Sequence, residues 1–198
     1  MNDWERIPMG YTAKQQPATA DLLNTGEWRF PNVPATLSSC VVDSFCDYVS
    51  AWNHNGFWLF DHPQILLKTA AHFGVDTTDM RLFYAEAYPR QYSAAGEDLG
   101  AVRPDPGLPT AVQEPTHKTL LGFEPVTFYA GTLPECAYLS CNGLYKDFPN
   151  LNQHLLFPDL DTPRVHLQNG DFSHCEPGPV RLIALYEVPW PDQSAESD

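Results

Sequence analysis

Cys136 and Cys141 stand with four residues between them in "PECAYLSCNG"; His154 lies downstream, and His174 and Cys175 are adjacent in "HCEPGP". Residues of these types support two chemistries. Structural zinc takes four Cys or His ligands, usually as closely spaced pairs. The ligand set the chain offers is Cys136, Cys141, His154 and Cys175. Its second pair is weak, because adjacent His174 and Cys175 cannot easily turn toward one ion. The other chemistry is that of a thiol enzyme. Cys141 would be the nucleophile, His154 or His174 the base, and Asn142 or Asn152 the group that orients the base. Gly143 would free backbone amides at the turn for a developing oxyanion.

A third reading needs no chemistry. "NG" and "EPGP" are turn signals, and free cysteines are among the most buried residue types. The thiols then pack as small hydrophobes in two turns against a sheet. The sequence favours this reading, so neither a metal nor another cofactor is expected.

A second constellation is acidic. Asp43 and Asp47 are four residues apart on a stretch whose apolar residues Leu37, Val41, Val42, Phe45, Tyr48, Val49 and Trp52 share one helical face. The two carboxylates then lie on the polar side of a helix over 37–52, where the ordinary role is a solvated face. Glu97, Asp98 and Asp105 lie in a Gly/Pro-rich stretch at about 93–118. Together these five carboxylates are the expected partner-binding residues.

The charge supports that assignment. The 198 residues hold 25 Asp and Glu against 11 Lys and Arg, a formal net of −14. The excess is shared by both halves of the chain. Such a field repels phosphate backbones and anionic membranes and attracts basic surfaces. No nucleic-acid or membrane partner is therefore expected. The N-terminal stretch "MNDWERIPMGYTAKQQ" lacks an apolar signal region, and five cysteines form no dense framework. A reduced, cytoplasmic protein is the expectation. No dinucleotide fingerprint, phosphate-binding loop, zinc-protease helix or nucleophile elbow occurs.

The elements that must position these residues read as follows. "DHPQILLKTAAHFG" is a helix with Asp61 as a cap, Pro63 in its first turn and Gly74 as its stop. "MRLFYAEAYPRQY" is a strand with Leu82, Tyr84 and Glu86 on one side and Phe83, Ala85 and Ala87 on the other. "FEPVTFYAG" is a third strand, after a short one over Phe57 to Phe60. "LDTPRVHLQNGDF" is a short helix from near Thr162, ending at Gly170. "PVRLIALYEVPW", apolar on both faces, is a central strand.

These elements predict a single α+β domain over 37–190, with a mostly antiparallel or mixed sheet, helices packed on one face and long Pro-rich loops. Residues 1–36 read as an extended leader packed on the domain, and 191–198 as a disordered acidic tail. No internal repeat is evident. The function expected from these features is that of an acidic cytosolic binding protein for a basic partner protein, such as a toxin-neutralising immunity protein or an enzyme inhibitor. The alternatives are a small cysteine-dependent enzyme centred on Cys141, and a small-molecule-binding module lined by Trp52, Trp58, Phe83 and Tyr84.

The cysteine reading makes a direct prediction. Intact mass under denaturing, non-reducing conditions is expected to match five free thiols. A stable loss of two or four protons from freshly prepared protein would contradict it.

Overall fold

The two stretches that alternate most strongly in the sequence lie side by side at the centre of a curled antiparallel sheet. In the computed structural model, which describes residues 5–15, 55–129, 133–139 and 144–191, the sheet has six strands and is accompanied by two helices. The protein is thus mixed α+β and mostly sheet. The strands are β1 (Ile7–Gln15), β2 (Met80–Tyr92), β3 (Asp98–Ala101), β4 (Thr119–Tyr129), β5 (Leu133–Ala137) and β6 (Val180–Val188). The helices are α1 (Pro63–His72) and α2 (Asp161–Gln168). Strand order is β1-β2-β6-β4-β5, with β3 paired to the last residues of β2. No helix among the described residues is long and apolar enough to cross a membrane.

β2 and β6 are central because both of their faces are apolar and buried. The expected alternation holds, with Tyr84 paired to Tyr186, Ala85 to Leu185 and Glu86 to Ala184. Helix α1 also follows its sequence signals, except that its cap is His62 and not Asp61. The His62 Nδ1 accepts the amide of Gln64 at 3.2 Å. The expected strand over Phe57 to Phe60 reduces to a single bridge, Phe60 to Tyr11.

Within the stretch read as a leader, residues 7–15 are a full strand of the sheet, in register with β2 from Ile7↔Ala87 to Gln15↔Met80. The remainder of the leader, the helix expected over 37–52 and the tail from 192 lie outside the described residues.

The expectation of no repeat is also corrected, since the described residues contain an internal two-fold. The β2–β6 pairing is centred on Ala85 and Leu185, and the pairs on either side, Tyr84↔Tyr186 and Glu86↔Ala184, exchange under a half-turn. The outer strands obey the same operation. Gly10 pairs with Ala85 on β1, and Gly122 with Leu185 on β4. Each glycine follows a one-residue bulge, at Met9 and at Leu121. Their φ values are +126° and +148°, and a Cβ would meet Phe60 O at 2.5 Å in one case and Leu156 Cβ at 2.6 Å in the other. Only glycine allows so close an approach of the crossing loop.

That loop is built the same way twice. Asn55 donates its side-chain amide to Met9 O at 2.9 Å, and its oxygen accepts the amides of Phe57 and Leu59. Asn152 donates to Leu121 O at 2.7 Å and accepts the amides of His154 and Leu156. Three residues after each asparagine stands a residue with positive φ, Trp58 at 60° and Leu155 at 56°. Two residues further on, Phe60 and Phe157 make paired backbone hydrogen bonds with Tyr11 and Phe123. A helix and then a central strand follow in both halves.

Each bracket satisfies one carbonyl and two amides that a bulge and a tight loop would otherwise leave unpaired. Asn55→Ala and Asn152→Ala are each expected to lower the unfolding free energy by at least about 2 kcal/mol in urea titrations. Gln153→Ala, on the exposed neighbour, is expected to stay within about 0.5 kcal/mol. Equal effects at 152 and 153 would contradict the bracket.

Candidate functional site

Alternation along the sheet places Tyr11, Tyr84, Glu86, Phe123, Ala184 and Tyr186 on one face. Glu86 is the charged residue among them, and its side chain is 5% exposed. Two cations hold it. Arg6 Nη1 lies 3.3 Å from Oε2, and Lys118 Nζ bonds Oε1. Arg6 immediately precedes β1 and Lys118 immediately precedes β4, so the two-fold relates them as well. Arg6 also bonds the Tyr186 hydroxyl. Lys118 Nζ lies 4.6 Å from the Tyr186 ring centroid and 5.1 Å from that of Tyr84, within cation–π range.

The tyrosines beside this clamp are protonated donors at neutral pH. Burial, reinforced by Glu114, pushes the Tyr11 hydroxyl up to about 12. Burial raises that of Tyr84 further, with Glu86 and Glu114 adding to it. Tyr11 donates to Gln113 O at 2.5 Å. The Tyr84 hydroxyl, wholly buried, has no hydrogen-bond partner among the described residues.

Next to the clamp, a cleft of about 460 Å³ lies between the start of α1, residues 113–117 and the end of β6. Its walls include Tyr11, His62, Gln64, Glu114, His117 and Trp190. The 113–117 wall is held in place by Asp61, whose carbonyl accepts the amide of Gln113 and whose carboxylate accepts that of Ala111. Asn55 anchors Asp61 in turn at 2.9 Å, so the first bracket also positions the cleft. The Trp190 indole N–H is spent on Met80 O at 2.8 Å.

The residues singled out in the sequence are dispersed. Cys136 is buried on β5, and its carbonyl accepts the Thr127 hydroxyl. Cys175 is partly buried, and neither cysteine is in a disulfide among the described residues. His154 sits in the second bracket and His174 is exposed. The Asn152 side chain is committed to backbone groups. Cys141 and Asn142 lie outside the described residues, as do Asp43, Asp47 and Trp52. Among the described residues, no three His, Cys, Asp or Glu come together in a group that could hold a metal.

Glu97 and Asp98 are exposed, but Asp98 is gripped by Arg90 through Nε at 2.9 Å. Asp105 is half-buried and caps its own turn through the amide of Gly107. Phe83 and Tyr84 point to opposite faces, so they do not line one pocket. Sequence reasoning missed Arg6, Lys118, Tyr186 and the cleft. The available signal was Glu86 itself, a charge inside an otherwise apolar strand.

Compared with protein-family models, with curated proteins and with solved structures, the chain matches none.

Two charge substitutions separate the buried pair from the exposed one. Glu86→Gln leaves two half-buried cations facing each other and is expected to cost about 2–4 kcal/mol in chemical denaturation. Glu187 pairs with Arg81 nearer the surface, its side chain 39% exposed, so Glu187→Gln is expected to cost less than about 1 kcal/mol. The Arg81 hydrogen bonds hold the Glu187 carboxyl below its ordinary 4.5. Its contribution is therefore complete above that value and lost as pH falls through the lowered native one. The stability difference between wild type and Glu187→Gln should vanish in acid. A difference that grows in acid would contradict the assignment.

Proposed function

We propose that the protein is a binding protein of the cytosol whose acidic surface recognises a basic partner protein. A toxin-neutralising immunity protein and an enzyme inhibitor are the forms of this class that suit its size and charge. One observation supports this reading above the others: most of the described basic side chains are paired with a carboxylate of the same chain or buried. Arg6 and Lys118 hold Glu86, Arg81 holds Glu187, Arg90 holds Asp98 and Arg164 holds Asp161. Lys14 and Arg181 are buried. Exposed carboxylates remain at Glu5, Asp76, Asp79, Glu97, Asp147 and Asp159. The outer field is therefore more one-signed than composition alone implies.

In this reading the helices brace one face of the sheet, and the Pro-rich segment over 102–118, which forms neither helix nor strand, presents part of the binding surface. Binding needs no covalent chemistry. Electrostatic attraction speeds encounter and penalises partners of the wrong charge.

Association with oligo-lysine, followed by stopped-flow fluorescence, is expected to slow roughly tenfold as salt shortens the Debye length from about 30 Å toward 8 Å. Dissociation should change far less. Charge reversal at Asp43, Asp47 and Glu97 should slow association without altering the far-ultraviolet spectrum. Association indifferent to both salt and these reversals would remove the reading.

A further inference from the structure

Helix α1 is capped by an imidazole, and that one residue serves every amide of the first turn. Pro63 has no N–H to serve. The His62 carbonyl accepts the amides of Ile65 at 3.1 Å and Leu66 at 3.3 Å. The His62 Nδ1 accepts that of Gln64 at 3.2 Å. The preferred caps are serine, threonine, asparagine and aspartate, whose oxygens accept throughout the neutral range. Asp61, the adjacent residue of that kind, is engaged elsewhere, its carboxylate on the Asn55 side chain and on the amide of Ala111.

An imidazole nitrogen accepts only while it is unprotonated. With Nδ1 on an amide, the neutral ring carries its proton on Nε2. A second proton has to go on Nδ1, where it turns the acceptor into a donor facing a donor. The charge it brings also sits at the positive end of the helix, and the first turn holds no carboxylate to offset it. Around the ring, the 113–117 wall brings Glu114 and His117, β1 brings Tyr11, and the end of β6 brings no charged group. The Tyr11 hydroxyl stays neutral, pushed up to about 12.

We infer that His62 is an acid-sensitive cap, whose protonation releases the Gln64 amide and loosens the turn that forms one wall of the cleft. His62, Pro63 and Gln64 all line that wall. The histidine of α2 is set the other way. His166 Nδ1 faces Asp171 Oδ2 at 2.7 Å beside the last turn of the helix, so a proton there strengthens the contact. The Phe148 and Phe157 rings against it carry no charge. Acid thus loosens the start of one helix and leaves the end of the other held. The inference goes beyond the binding-protein reading and does not depend on it.

The experiment is a pH titration of the full chain by nitrogen-15 correlation spectroscopy, from about pH 8 to about pH 5, the range in which histidines change charge. At the alkaline end, the ring-nitrogen shifts should show His62 as the Nε2–H tautomer. As the ring gains its second proton, the Gln64 amide proton should move upfield. Its exchange protection, corrected for the intrinsic rate, should fall roughly fivefold. The Trp190 indole resonance should shift in the same step. The amides of Asn169 and Gly170, at the end of α2, should keep their protection throughout. His62→Asn supplies an acceptor that does not titrate, so in that variant the Gln64 amide and the Trp190 indole should hold steady.

A Gln64 amide that stays fixed while the His62 ring titrates overturns the inference. The same response in His62→Asn as in wild type overturns it too, because the titrating group is then another. A Gln64 response that leaves the Trp190 indole unmoved removes the link to the cleft.

Discussion

A carboxylate buried at the centre of a sheet face is costly unless it is paired and hydrogen-bonded there. Glu86 is paired from two places that the fold makes equivalent. Arg6 enters just ahead of β1 and Lys118 just ahead of β4, and they take the two oxygens from opposite sides. The start of each outer strand is therefore tied to one side chain on a central strand. Tyr186, which occupies on β6 the place of Glu86 on β2, supplies a hydroxyl to one cation and a ring face to both. The clamp needs the two-fold register, because a slip of one residue would send Glu86 to the other face.

The asparagine brackets set that register from the outside. Each pins a crossing loop to a bulged glycine, and each glycine sits opposite one of the two residues at the centre of the β2–β6 pairing. In the first half the bracket continues through Asp61 to the 113–117 segment, so the wall of the cleft and the core of the sheet share one hydrogen-bond chain. At the other end of the sheet β2 extends into the β3 hairpin, whose turn closes on the end of α2 through Gly96 and Leu167 O. Among the described residues, one scaffold thus yields a cleft at one end and a hairpin at the other. The internal use of cations that stabilises it also leaves the outside acidic, which links the fold to the proposed binding role.

Strands β2 and β6 were legible because each carries a long run of apolar and aromatic residues on both faces, and α1 and α2 because proline and glycine mark their ends. β1 was not, since Pro8 and Gly10 read as loop residues when the bulge they serve is invisible. The short β3 and β5 carry too few residues for a periodic signal.

The repeat was hidden for a mechanical reason. Gly10 and Gly122 are 112 positions apart, Asn55 and Asn152 are 97, and Arg81 and Arg181 are 100, because the loops between blocks differ in length. No single offset aligns the halves, and within blocks the fold demands only a bulge glycine, a bracket asparagine and apolar alternation. The site was less legible still. Arg6 and Lys118 look like ordinary flanking charges until pairing brings them to Glu86, whereas the cysteines and histidines that drew attention in sequence are spread across the molecule.

The two-fold register is the claim on which the clamp, the brackets and the open cleft all depend. It is tested most directly by cross-strand nuclear Overhauser contacts, between α-protons at non-hydrogen-bonded pairs and between amide protons at hydrogen-bonded ones. The account predicts a β2–β6 network centred on Ala85 and Leu185, with contacts of the alternate kind for Tyr84–Tyr186 and Glu86–Ala184, and amide–amide contacts joining Tyr11 to Phe60 and Phe123 to Phe157. A network displaced by even one residue, or one in which only one of the outer pairs appears, would contradict it.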